Sequence, residues 1–337
     1  MPKYSTAFGM DVHLRSTTVC ALDADTGEAV TRRFPGNPWG AYESGYLGFA
    51  PQRELAGLGV ECVVTAVSKI PRSAADSASK NDRNDAARMA KAILAHDISP
   101  VWVPSPEVEG IRDLAGAYDG ATARLATAKQ RLLAFLAKRG FVYGGTTPAG
   151  NPRKYWTYDF LRWLDKVRPE DDGGVRTLAA LRNEVEAAAE ARADLLSEYR
   201  ATVDAGPIAA EVAALQSIKG CAFALAAAFS AEVGDFTRFD SPDKLLAYAG
   251  MSPSTYQSGQ LKNCYPHMEK RGSRYLRYAL YNATKYVCHW DPTFADYLAK
   301  KRAEGKHYNV ALSHAAKKLV RLIFAMEKSG MPYRLAA

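Results

Sequence analysis

Lys80-Asn81-Asp82-Arg83-Asn84-Asp85-Ala86 is the stretch on which the reading of the fold turns; it opens a helix that continues through Met89, Ile93 and Leu94. Residues three apart on a helix share a face, so the carboxylates of Asp82 and Asp85 point the same way. Upstream, Ala7-Phe8-Gly9-Met10-Asp11-Val12-His13 reads as an apolar strand with one acid among β-prone residues. A structural reading accounts for all three acids: Asp82 as N-cap, Asp85 as a first-turn acid favoured by the helix dipole, Asp11 as a solvated strand end. The other reading makes a strand carboxylate face a helix that carries two more, an arrangement able to hold hard divalent cations. Mg²⁺ takes oxygen ligands, usually a few carboxylates plus substrate phosphates. Two such ions about 3.5–4 Å apart can stabilise both the attacking and the leaving oxygen of a phosphoryl transfer. The spacing alone leaves both readings open.

The flanking sequence supplies a sheet. Residues 4–13, 17–23 and 29–34 read as three strands, with Asp25-Thr26-Gly27 as the turn before the third, an antiparallel meander. A short Pro/Gly-rich loop leads to Tyr42-Glu43-Ser44-Gly45, which ends a short extended segment. A helix over 49–58, a buried strand over 60–67, a polar stretch over 68–79 long enough to be an active-site loop, and a short strand Val101-Trp102-Val103 follow. Antiparallel strands followed by alternating helix and strand predict an α/β domain over 1–104 with a mixed, ribonuclease H-like sheet.

Pro104 and Pro106 mark a boundary. Beyond it, Ile111, Leu114, Tyr118, Ala121, Leu125, Ala128, Leu132 and Phe135 recur in steps of three and four, and Leu178, Leu181, Val185, Ala188, Leu195 and Tyr199 repeat the pattern, interrupted by Arg192. The expectation for 105–205 is a long antiparallel helical hairpin with a polar, Gly-rich tip, acting as a spacer or a dimerising coiled coil. Residues 206–337 read as an all-α domain opened by Pro207. In it, Leu215–Cys221 resembles the turn of a helix-hairpin-helix, or else an ordinary helix–helix turn. Ser241-Pro242 caps a helix, and an amphipathic helix over 310–326 closes the chain.

Composition narrows the partners. The 337 residues carry a net charge of +8. Residues 1–104 have 11 basic and 11 acidic side chains, residues 105–205 have 15 and 15, and residues 206–337 have 18 and 10. The whole excess sits in the last third, the footprint of a nucleic-acid surface or of a solvated basic face. Lys219, Lys262, Lys270, Arg271, Arg274, Arg277, Lys317, Lys318 and Arg321 are the candidate phosphate contacts. No apolar run reaches the ~20 residues of a membrane span. The five cysteines are scattered without a C-x-x-C pair, which argues for a reducing, cytoplasmic setting and against structural zinc.

Three blocks together resemble one family: Gly9-Met10-Asp11-Val12; Tyr42-Glu43-Ser44-Gly45 with Lys80–Ala86; and Gly250-Met251-Ser252-Pro253 through Ser258-Gly259 to Lys270-Arg271-Gly272-Ser273-Arg274-Tyr275-Leu276-Arg277. In order and separation they are similar to the DEDD transposases of the insertion-sequence one-ten group, relatives of the Piv-type DNA invertases. The resemblance implies a RuvC-like domain whose Asp11, Glu43, Asp82 and Asp85 bind metal (Mg²⁺ as cofactor), and a C-terminal serine nucleophile, best matched by Ser258, with Ser254 and Ser252 behind it. It further implies cutting and rejoining of donor and target DNA guided by a structured bridge RNA; with Asp11 and Ser258 in domains joined by a long hairpin, the expectation is a composite site in a homo-oligomer of even number. This chain departs from the family pattern in having only residues 35–41 between the third strand and Tyr42, which bears on Glu43. A water-using RuvC-like nuclease and a decayed, RNA-binding relative are the alternatives.

Overall fold

The computed structural model describes residues 6–13, 16–35, 41–43, 45, 48–59, 61–66, 82–252 and 268–334. It divides into two units, Met1–Pro104 and Ser105–Ala337.

In the first unit, strand β1 (Thr6–His13) pairs antiparallel with β2 (Ser16–Asp23), Gly9 opposite Cys20 and Asp11 opposite Thr18. Strand β3 (Ala29–Pro35) extends the meander along β2. The Asp23 carboxylate fastens the intervening turn by accepting from the amides of Thr26 and Asp25, at 2.7 and 2.9 Å, and these bonds hold its pKa below the usual value. Strand β4 (Ala41–Glu43) lies on the other side of β1 and runs parallel to it, Met10 opposite Tyr42. Helix α1 (Ala50–Gly57) leads to β5 (Val64–Thr65), which pairs parallel with β4. The five-stranded mixed sheet has the order β3-β2-β1-β4-β5.

Side chains alternate across a sheet, and the two faces of β1 are used differently. Met10 packs in a buried cluster with Tyr42, Leu55 and Val64. The opposite face, at Gly9, receives helix α2 (Asp82–Leu94). The expected strand at 101–103 is not formed. The segment makes only a bridge, Thr65 to Pro100, with one bond from the Val101 amide to Val64 O at 2.7 Å. Pro100 and Pro104 lack the amide protons that a longer ladder needs.

The second unit is helical. Ser105 caps α3 (Pro106–Lys138) by accepting from the Val108 amide, with Pro106 at the first turn where its missing N–H costs nothing. After the short α4 (Tyr158–Leu164), Asp171 caps α5 (Asp172–Asp204), which returns along α3. The hairpin's seam follows the expected residues, with Ile111, Tyr118, Ala121, Ala128, Leu132, Leu178 and Tyr199 buried. Arg192, which breaks the apolar repeat, clasps the two helices. It donates to Thr122 Oγ1 at 3.0 Å and to the Tyr118 hydroxyl, and lies 4.9 Å from the Tyr118 ring.

Helices α6 (Ala209–Gln216), α7 (Phe223–Val233), α8 (Pro242–Tyr248), α9 (Arg274–Trp290), α10 (Pro292–Ala303) and α11 (Tyr308–Ser329) complete the unit. Small residues (Ala226 and Ala227 on α7, Ala279 and Ala283 on α9, Ala311, Ala315 and Ala316 on α11) are buried, which lets the helix axes approach. The hairpin and these helices belong to one unit, because α3 packs on α7. No helix among the described residues is long and apolar enough to cross a membrane.

Candidate active site and nucleic-acid interface

The acidic candidates depend on one glycine. A Cβ at Gly9 would lie 1.9 Å from Ala86 O and 2.4 Å from Ala90 N, so strand β1 and helix α2 meet backbone to backbone there. Only a residue without a side chain permits that approach. Asp11, two residues on, emerges on the same face of β1, half-buried. Asp82 precedes Ala86 by four and Ala90 by eight, so it stands on the strand-facing stripe of α2. Asp85 sits to the side of that stripe and pairs with Arg88 at 2.9 Å, both side chains mostly buried. The backbone of Glu43 ends β4; the residue before it faces Met10 across the parallel pairing, and Met10 is the residue before Asp11. The Glu43 side chain lies outside the described residues. The 35–41 connection, short as it is, therefore delivers Glu43 to the strand that neighbours Asp11.

The donor set is made of carboxylate oxygens, with no thiol or imidazole, which suits a hard divalent cation. Asp11, Asp82 and Asp85 are of the right chemical kind for that role, with Asp85 engaged by Arg88 to the side of the strand-facing stripe. Among the described residues, no three His, Cys, Asp or Glu side chains are gathered closely enough to hold an ion.

The second candidate region is the pair of described segments that flank residues 253–267. Ser254, Ser258 and Lys262 lie outside the described residues; the segments on either side are closely knit. Glu269 and Lys270 amides donate to Ser252 O and Gly250 O at 3.1 and 3.2 Å, and the Ser273 amide to Tyr248 O at 2.9 Å. Gly272 (φ +129°) leaves no room for a Cβ, which would fall 2.2 Å from Tyr248 O. Ser273 caps α9 through the Leu276 amide and donates its hydroxyl to Glu232 at 2.6 Å. Arg112 of α3 binds the carbonyls of Ala231 and Glu232 at 2.8 and 3.0 Å, so these segments are strutted against α7 and α3. Composition offers no signal for this strut, since its members are 120 and 41 residues apart in sequence.

The basic candidates separate by surroundings. Arg271 and Lys270 are exposed in the segment that follows residues 253–267, and Lys219 is exposed before α7. Arg274 is exposed and lies over the Tyr275 ring at 4.7 Å, beside exposed Tyr278. Arg277 is half-buried and donates to Ala249 O at 3.1 Å, which makes it a tie between the two flanking segments. Lys318 lies over the rings of Tyr297 and Phe294 at 4.9 and 5.2 Å, Arg321 pairs with Asp243 at 3.6 Å, and Lys317 is half-buried. Gly220 in the 215–221 turn (φ +93°) abuts the Tyr286 carbonyl, where a Cβ would stand 2.5 Å away. Its glycine serves helix packing, as in the ordinary helix–helix turn.

Comparison with known proteins assigns the class. A DEDD transposase model of the IS110 type matches residues 51–139, which include Asp82 and Asp85, and the model described as Transposase IS116/IS110/IS902 family matches residues 212–299. Over these two segments the chain is similar to the IS110 family of DEDD transposases. It is 34% identical over 219 residues to y4qE of Sinorhizobium fredii (strain NBRC 101917 / NGR234), provisionally named a transposase, covering 65% of this chain and 51% of that protein. To the transposase for insertion sequence element IS1533 of Leptospira borgpetersenii it is 28% identical over 196 residues, 58% of this chain and 55% of that one. It is also similar to the IS110 43.6 kDa protein of Streptomyces coelicolor (strain ATCC BAA-471 / A3(2) / M145), 30% identical over 154 residues, 46% of this chain and 37% of that one. The chain spans about half the length of the first two of these relatives.

Proposed function

We propose that this chain cuts and rejoins DNA by phosphoryl transfer, with the carboxylates of a RuvC-like domain and a serine nucleophile from among residues 253–267. The observation that supports the reading is the backbone contact of β1 with α2 at Gly9, with Asp11 two residues on along the strand and Asp82 one turn before Ala86 on the helix. Asp11, Asp82, Asp85 and Glu43 would hold divalent metal, Mg²⁺ by their chemistry. A cation held there would offset charge on the scissile phosphate and ease deprotonation of a hydroxyl. Ser258 Oγ would attack the phosphorus, forming the Oγ–P bond as the bond to the leaving strand's oxygen breaks. Its proton would pass to a carboxylate, Glu43 being the candidate acceptor. The phosphoserine link keeps the bond energy for rejoining. Such a transition state needs little beyond positioning and electrostatic stabilisation. Arg271 and Arg274 would grip backbone phosphates. The partners on this reading are donor and target DNA, a structured guide RNA, and further copies of the chain in an even-numbered oligomer.

Asp82→Asn and Asp11→Asn are each expected to abolish cleavage of a matched DNA in the presence of Mg²⁺ while leaving DNA binding unchanged. Retained cleavage in either variant overturns the carboxylate assignment. Ser258→Ala distinguishes the nucleophile: loss of a covalent protein–DNA adduct supports the serine, whereas continued cutting without an adduct identifies a nuclease that uses water.

A further inference from the structure

The hairpin carries equal numbers of basic and acidic residues, 15 and 15 over 105–205, and that balance hides a segregation. Residues 138–168, at the far end of the hairpin, hold seven Lys and Arg against two Asp. Lys154, Arg162 and Lys166 there are exposed and in no ion pair among the described residues, while Arg153 and Arg182 take up Asp159 and Asp165. The legs are 33 residues each, so this surplus stands about 50 Å along the hairpin from its base.

The tip is built around the aromatic-rich stretch 155–163. Phe160 is completely buried, with the rings of Trp156, Tyr143, Tyr155 and Trp163 at 5.1, 5.2, 5.4 and 5.6 Å. Around this packed centre the surface is aromatic and cationic. Tyr158 is 75% exposed and Tyr155 47% exposed. Tyr158, Leu161 and Arg162 share the outer face of α4, with Arg162 5.6 Å from the Tyr158 ring. Beside Tyr155 opens an apolar cleft of about 80 Å³, whose lining includes Val142, Phe141 and Trp163.

Exposed rings beside a packed aromatic centre, flanked by exposed cations, are what a strand of unpaired nucleotides binds: every base has a face to stack and every phosphate a charge to neutralise. A protein interface core is, by contrast, depleted in lysine. We propose that the hairpin tip is a docking surface for an unpaired DNA strand, its bases stacking on Tyr158 and Tyr155 and its phosphates held by Lys154, Arg162 and Lys166. The choice of DNA rests on the strand-transfer reading above; the stacking surface does not.

The test uses the whole protein in chelator, so that binding is read without cleavage and the outcome is independent of the carboxylate and serine assignments. Fluorescence anisotropy with labelled oligothymidylate of about twenty nucleotides is expected to show roughly fivefold or greater weakening for Tyr158→Ala, restored by Tyr158→Phe. The pair Lys154→Glu and Lys166→Glu is expected to weaken the same oligonucleotide with a reduced salt dependence. Ultraviolet crosslinking of the unaltered protein is expected to mark Tyr155 or Tyr158 by mass spectrometry. Affinity of Tyr158→Ala within twofold of the parent overturns the proposal. So does an equal loss on a duplex of the same length, a loss confined to oligouridylate, or a change of oligomer size with binding intact.

Discussion

Gly9 does at the residue scale what no charged group in the first unit could do, because it sets how near strand and helix backbones come. Gly9→Ala is expected to destabilise by about 1–3 kcal/mol or more, as overpacking does, and, on the proposed carboxylate reading, to lower DNA cleavage further than the stability loss explains by moving the strand that carries Asp11 away from the helix that carries Asp82. Urea unfolding beside the cleavage assay checks both. Tyr199 shows the opposite situation. Its hydroxyl is fully buried, has no partner among the described residues, and is pushed to a raised pKa by burial first and by Asp119 second. The ring packs edge-on against Phe223 at 5.2 Å. Tyr199→Phe keeps that contact and removes an unpaired polar group, so it is expected to leave stability unchanged or raise it by about 1 kcal/mol, read as a higher melting temperature. Asp82 and Asp85 were legible as facing acids because helical spacing is local. The Asp85–Arg88 pair that draws Asp85 to the side depends on which face of α2 the sheet buries, and spacing does not say.

At the scale of elements the hairpin was legible from its two apolar repeats, and its caps from Ser105-Pro106. Arg192 looked like a flaw in the second repeat, since a seam is usually apolar; its partner, Tyr118, lies 74 residues away. The tip ends on an acid-sensitive joint. The Gly174 amide, then the Arg139 guanidinium, hold the Asp171 carboxyl below the usual range. A depressed carboxylate contributes stability above its unfolded pKa of about 4, and loses it as pH falls through the lower folded value. The near-ultraviolet circular dichroism of the tip aromatics is therefore expected to weaken on acidification below about pH 4. Asp171→Asn, which keeps a capping side chain but no charge, is expected to flatten that dependence.

Across the whole molecule, charge is the long-range property. The surplus of residues 206–337, 18 basic against 10 acidic, predicts nucleic-acid binding that weakens steeply between about 50 and 200 mM salt. Arg271→Ala and Arg274→Ala are each expected to reduce the slope of log affinity against log salt by about one. Arg277→Ala is expected to leave the slope unchanged and to lower thermal stability, because its guanidinium is held by Ala249 O. Equal slopes for all three variants would refute that division. Equal totals can hide a pattern, as the neutral sum over 105–205 hides a basic tip.

By itself, the sequence determined the meander, the two long helices, the caps and the position of the charge, because each follows from local periodicity or from counting. Only the tertiary structure decided that β4 lies beside β1, that α2 closes on Gly9, that 101–103 stays outside the sheet, and that Arg112, Glu232 and Ser273 tie α3, α7 and the start of α9 together. Those outcomes turn on contacts between residues far apart in the chain, where excluded volume at a single Cβ or the lack of one amide proton selects the arrangement.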